Sequence, residues 1–143
     1  QFKNLVKINS YAIRDEQNLT SLTLLNVTTL DIYSIDECNI EVLQLPRLNN
    51  TLERYVFAFL TQLHSVVLTA PGQISLPETY TFRLFDSSSI IRNHEVTLYL
   101  NKDKLTVEPK ITAPNQWANQ TWKAIYICDD YALIDDPSCQ LVE

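Results

Sequence analysis

Between Cys128 and Cys139 the chain places Asp129, Asp130, Asp135 and Asp136, four carboxylates inside a stretch that one disulfide would close. Three cysteines cannot all pair within one chain. The short pairing Cys128–Cys139 is the expected one, and closing so small a loop constrains the unfolded chain by about 3 kcal/mol in the chain-entropy model. A Cys38–Cys128 bridge closes a longer loop and stabilises by roughly 4–5 kcal/mol on the same model, but requires strands far apart in sequence to meet. With Cys128–Cys139 formed, Cys38 is left as a free thiol, either buried as a small apolar residue or linked to another chain. A disulfide-linked or non-covalent oligomer follows from the second case.

The four aspartates offer the hard oxygen ligands that calcium takes, and calcium tolerates irregular loops. The competing reading is ordinary turn chemistry, since aspartate side chains hydrogen-bond the backbone of nearby residues. An EF-hand is excluded because its sharp-turn glycine has no counterpart here. No Cys-x-x-Cys and no Cys/His cluster exists, so no structural zinc is expected.

Four Asn-x-Ser/Thr sequons, at Asn18, Asn26, Asn49 and Asn119, are acceptors for N-linked glycans. Together with the cysteine spacing and the absence of methionine, which reads as a processed chain or a fragment, they point to the secretory pathway. The expected location is extracellular, cell-surface or in the lumen of the endoplasmic reticulum.

His64 and His94 are the only histidines, and neither sits in a motif that supplies a nucleophile or metal for it to serve. A single glycine, Gly72, rules out phosphate-cradling loops, which need close backbone approach. No cofactor and no enzyme activity is expected. The net charge of −6 is concentrated at the C-terminal end: residues 124–143 hold five acidic residues and no Lys or Arg. An acidic chain without a basic patch is a poor nucleic-acid ligand, because phosphate neutralisation supplies most of that affinity. No apolar run approaches the ~20 residues a membrane helix needs.

The elements that must position these residues read as short strands. At 143 residues and 45% hydrophobic, the chain suits one domain, 1–143. Period-two alternation appears at 3–9, 20–27, 29–35, 39–45, 79–85, 95–100 and 121–128. Around "NKDK" at 101–104 the pattern predicts an antiparallel hairpin over 94–108, stopped by Pro109. Near residues 51–66, Leu52, Val56, Phe59 and Leu63 fall at helical spacing while "YVFAFL" and "SVVLT" are strong strand formers, so helix and hairpin both stay open. Trp117 and Trp122 flank the Asn119 sequon, either as a contact patch or as core.

No internal repeat, low-complexity tract or Pro/Ser-rich linker divides the sequence. The fold expected is mostly β, an antiparallel β-sandwich with one helix near residues 51–66 as an option. The function expected is non-enzymatic: an N-glycosylated recognition or assembly module that binds a protein partner. The alternatives are the lumenal domain of a larger membrane complex and, behind it, a hydrolase or a lipid carrier.

Overall fold

The computed structural model describes residues 4–49, 56, 60–75, 86–87, 90–91 and 93–143. The described residues form fourteen short strands: β1 (Lys7–Ile8), β2 (Ile13–Arg14), β3 (Ser21–Thr23), β4 (Thr29–Leu30), β5 (Ile35–Asp36), β6 (Val42–Gln44) and β7 (Ser65–Leu68), followed by β8 (Asp86–Ser87), β9 (Ile90–Ile91), β10 (Thr97–Asn101), β11 (Gln116–Trp117), β12 (Gln120–Thr121), β13 (Ala124–Cys128) and β14 (Gln140–Leu141). Their arrangement is a β-solenoid. Five strands form a parallel sheet in the order β3-β6-β7-β10-β13, and β14 closes its far edge antiparallel to β13. Each strand is one coil further along the chain than its neighbour.

The register explains the core. Leu22, Leu43, Val66, Leu98 and Ile125 are aligned across all five parallel strands and point inward. All five are buried, the last four completely. Period-two alternation puts the intervening residues on the opposite face. Burying one such aliphatic side chain contributes roughly 1.5–3 kcal/mol, so an in-register row of five is a large part of what holds the coils together.

The first two coils repeat on their other sides as well. Lys7 pairs with Thr29 and Ile13 with Ile35, each 22 positions on. Tyr11 and Tyr33 occupy equivalent corners, both with left-handed backbone (φ 58° and 56°), and their rings stack at 5.4 Å with 6° between planes. Asp15 and Glu37 form a second pair of equivalent left-handed corners (φ 56° and 51°). The expectation of no internal repeat is therefore wrong for the first two coils, which repeat at 22 residues.

The antiparallel sandwich expected from the sequence is therefore wrong. Alternation correctly marks which residues face in, but it is silent about which strand pairs with which. The predicted hairpin over 94–108 also does not form. β10 is followed by a 3-10 helix, Lys102–Leu105, and lies between β7 and β13, parallel to both. The physical reason is at the turn: the Asn101 side chain accepts from the Asp103 backbone N–H at 2.9 Å and starts a helical turn instead of a reversal. The helix option near 51–66 fails where it can be checked, because residues 61–62 are a turn and Ser65–Leu68 is strand β7. Residues 51–55 and 57–59 lie outside the described residues, as does the predicted strand at 79–85. Among the described residues the only helical segments are the two 3-10 turns, Asn93–Glu95 and Lys102–Leu105. None is long and apolar enough to cross a membrane.

The single glycine occupies a position that needs it. Gly72 has φ 98°, a region L-residues rarely adopt. Its N–H donates to Asp103 Oδ2 at 2.7 Å and its carbonyl accepts from Lys104 Nζ at 2.7 Å. Lys104 is fully buried, and its ammonium also donates to Asp103 Oδ1 at 2.8 Å. This knot joins the turns that follow β7 and β10.

Candidate functional site

The outward face of the parallel sheet consists of two rows. One row is Ser21, Val42, Ser65, Thr97 and Ala124; the next is Thr23, Gln44, Val67, Tyr99 and Tyr126. None of these ten residues is charged, in a chain where 20% of residues are. Tyr99 and Tyr126 stand on adjacent strands and stack at 4.9 Å with 15° between planes. Burial raises the Tyr99 phenol above its ordinary value, and Tyr126 and Asp135 add to the rise.

The acidic loop that the sequence singled out lies across part of this face. Cys128 and Cys139 are joined by a disulfide, as the spacing predicted. From the end of β13 the chain turns back over the strand ends. The Tyr131 N–H donates to the Thr69 carbonyl at 3.2 Å, and the Thr69 hydroxyl donates to the Ala132 carbonyl at 2.6 Å. Further on, the Ile134 N–H donates to Gln44 Oε1 at 2.9 Å, reaching β6. With Tyr131 and Ala132 bound to Thr69 and Ile134 bound to Gln44, the loop of residues 129–139 forms a strap that crosses the second row, on the face where Val67 is completely buried. Arg47 lies over the Tyr131 ring at 4.1 Å and holds the strap from the other side.

Each aspartate of the strap has a local task. Asp129 Oδ1 accepts from Lys102 Nζ at 2.9 Å, an exposed pair that raises the Lys102 ammonium. The Asp129 N–H donates to Ser138 Oγ at 3.0 Å. Asp130 Oδ1 accepts from Asn101 Nδ2 at 2.9 Å. Asp136 Oδ1 accepts from the Ser138 N–H at 2.9 Å, and hydrogen bonds from Ser138 lower its carboxyl below the ordinary value. Asp135 stands near the tyrosine stack. The candidate calcium ligands Asp129, Asp130, Asp135 and Asp136 are thus distributed along the strap, and among the described residues no group of three or more His, Cys, Asp or Glu side chains converges to hold a metal.

Asn101 is the residue that sequence reasoning missed. It is buried at 1% exposure, and its amide reaches three coils: Nδ2 donates to the Thr69 carbonyl at 2.9 Å and to Asp130, while Oδ1 accepts from the Asp103 N–H. In sequence it looked like the first residue of a solvated turn. Alternation gives no cue: it puts Asn101 with Thr97 and Tyr99 on the outward side, where the residue is buried only because the turn after β7 and the loop after β13 come to meet it.

The remaining sequence candidates are scattered. Cys38 is a free thiol, 2% exposed, with its Sγ donating to the Asp36 carbonyl at 3.2 Å. Burial raises it above the ordinary thiol value. At that depth it has no route to a thiol of another chain without opening the coil. Beside it, Arg14 faces Asp15, Asp36 and Glu37 at 3.8, 3.6 and 3.7 Å. A carboxyl–carboxyl hydrogen bond with Asp15 raises Glu37, and burial raises Asp36. His64 Nε2 lies 3.9 Å from Glu41, and His94 Nε2 lies 4.0 Å from Glu95; both rings are largely exposed. Trp117 and Trp122 are core: their indole N–H groups donate to the Pro109 and Trp117 carbonyls at 2.7 and 3.0 Å. The sequon asparagines Asn18, Asn26, Asn49 and Asn119 are all exposed, and none lies in a strand of the parallel sheet.

Compared with protein-family models, with curated proteins and with solved structures, the chain gives no match.

Proposed function

We propose that the chain is a non-enzymatic, N-glycosylated recognition or assembly module of the secretory pathway, binding a protein partner through the outward face of its parallel sheet. The observation that carries the reading is the absence of charge from ten aligned outward positions, with a tyrosine stack at one end. Depletion of charge and enrichment of tyrosine mark the centre of protein interfaces. Within this face Ser21 and Thr23 are exposed, Val42, Thr97, Ala124 and Tyr126 are half-buried, and Ser65 and Val67 are buried. All four sequons sit outside the strands of this sheet. A disulfide in a short loop and exposed sequons suit an oxidising compartment outside the cell or in the lumen.

The test is site-specific photocrosslinking in a secretory host from the chain's own source. A photoreactive amino acid replaces Thr97 or Tyr126 on the face, or Lys110 on a loop as control. The reading expects one discrete protein adduct from Thr97 and Tyr126 and none from Lys110. Adducts of equal strength from all three positions, or from Lys110 alone, contradict it. Intact mass with and without N-glycosidase tests the compartment separately.

A further inference from the structure

The two ends of the solenoid differ. At the C-terminal end β14 runs antiparallel along β13 and the Cys128–Cys139 disulfide ties the following chain down. At the other end β3 is the outer strand of the sheet, paired only with β6, and among the described residues nothing pairs with its free side. β1 and β2, in the same coil, likewise pair only with β4 and β5. Three of the exposed large apolar residues sit on this coil: Val6, Tyr11 and Leu25, at 52%, 49% and 47% exposure. An open row of backbone N–H and C=O groups beside exposed apolar side chains is a template for pairing with another chain.

Natural sheets protect such edges with edge charges, prolines, bulges or a covering element. The free edge here, Ser21-Leu22-Thr23, has no charge and no proline, and the strand is regular. It is instead bracketed by sequons. Asn18 lies three residues before β3 and Asn26 three residues after it, both exposed; Asn49 and Asn119 lie in later coils. We infer that N-glycans on Asn18 and Asn26 are the edge cap of this solenoid: bulky, hydrated groups at both ends of β3 that keep a second copy of the chain from adding a strand there. The inference rests on the secretory reading above. It gives two of the four sequons a structural task that the other two do not share.

The experiment uses the full chain secreted from a glycosylating host. Intact mass first establishes whether Asn18 and Asn26 carry glycans; a mass equal to the bare polypeptide overturns the secretory reading together with the cap. On glycosylated protein, Thr20→Ala with Thr28→Ala removes the two sequons beside β3 and leaves both asparagines in place. Thr51→Ala with Thr121→Ala removes the other two. Sedimentation velocity then reads the mass of the folded species. The cap predicts that the Thr20→Ala/Thr28→Ala protein shifts from monomer to dimer or larger while the Thr51→Ala/Thr121→Ala protein stays monomeric. Native N-glycosidase treatment of the wild-type protein must give the same shift, which guards against a folding defect in the variant. Adding Thr23→Lys to the edge must return the associating variant to monomer. Monomer throughout, or equal association in both variants, overturns the cap and leaves the secretory reading intact.

Discussion

Replacing Asn101 by alanine removes a side chain that links the turns after β7 and β10 to the strap. Three hydrogen bonds disappear: to the Thr69 carbonyl, from the Asp103 N–H, and to Asp130 Oδ1, all at 2.9 Å. The first two groups lie in or next to the buried strand ends and do not simply recover a water partner. The Thr69 carbonyl keeps the Tyr131 N–H, which limits its loss. The Asp103 N–H loses its helix cap, an interaction of about 1 kcal/mol. Asp130 is exposed and is rehydrated, so its charge-assisted bond is discounted to about 1 kcal/mol. With about 1 kcal/mol for the Thr69 bond, Asn101→Ala is expected to destabilise by about 3 kcal/mol and lower Tm by roughly 10 °C. Urea unfolding with the disulfide intact measures the first, and calorimetry the second. Asp130→Ala breaks only one of the three bonds and should destabilise by about 1 kcal/mol. If Asn101→Ala lies within 1 kcal/mol of wild type, or if Asp130→Ala matches it, the three-way role assigned to this amide is wrong.

Lys104→Met keeps the apolar stem but removes the buried ammonium from Asp103 and from the Gly72 carbonyl, and should destabilise by roughly 3 kcal/mol in urea titration. Leu43→Ala opens a cavity in the middle of the inward row and should destabilise by about 3 kcal/mol by the same assay. Glu37 and Asp36 have folded-state values raised above their ordinary 4.5 and 3.8, so the folded chain holds more protons than the unfolded chain just above those values. Stability therefore falls as pH rises through that window, and Glu37→Gln should flatten a Tm series taken from pH 4 to pH 7. Asp136 acts oppositely: its lowered value contributes stability above pH 3.8 that is lost as pH falls through its folded value, so Asp136→Asn should lower Tm at pH 7 and have little effect at pH 2.

What the sequence conveyed was local. The alternation in "EVTLYL" groups Leu98 and Leu100 as inward residues, and the eleven-residue spacing of Cys128 and Cys139 identifies their bridge, whereas "AIYIC" is apolar throughout and does not reveal that Ile125 is the residue that faces in. Pairing was hidden because it is set by where each coil returns, and coil lengths vary: Ser21 meets Val42, but Ser65 meets Thr97. The corners that would mark a repeat were hidden for a second reason. Left-handed backbone is usually flagged by glycine, yet here it is taken by Tyr11, Tyr33, Asp15 and Glu37. Stacked rings and the Arg14 contacts offset strain at these positions. Gln44, Thr69 and Asn101, which hold the strap, carry no motif; they matter because parallel stacking brings three distant strand ends to one side.

The uncharged face, the strap and the open edge all depend on the parallel register of β10 and β13, and an engineered disulfide tests it directly. Thr97 and Ala124 are aligned neighbours on the outward face. Thr97→Cys with Ala124→Cys should oxidise to an intramolecular disulfide, seen by non-reducing peptide mapping, with Cys128–Cys139 retained and Cys38 still unmodified. A Leu100→Cys/Leu105→Cys pair, which an antiparallel hairpin over 94–108 would bring face to face, should remain reduced. Oxidation of the second pair with the first left as free thiols would contradict the solenoid and everything built on its face.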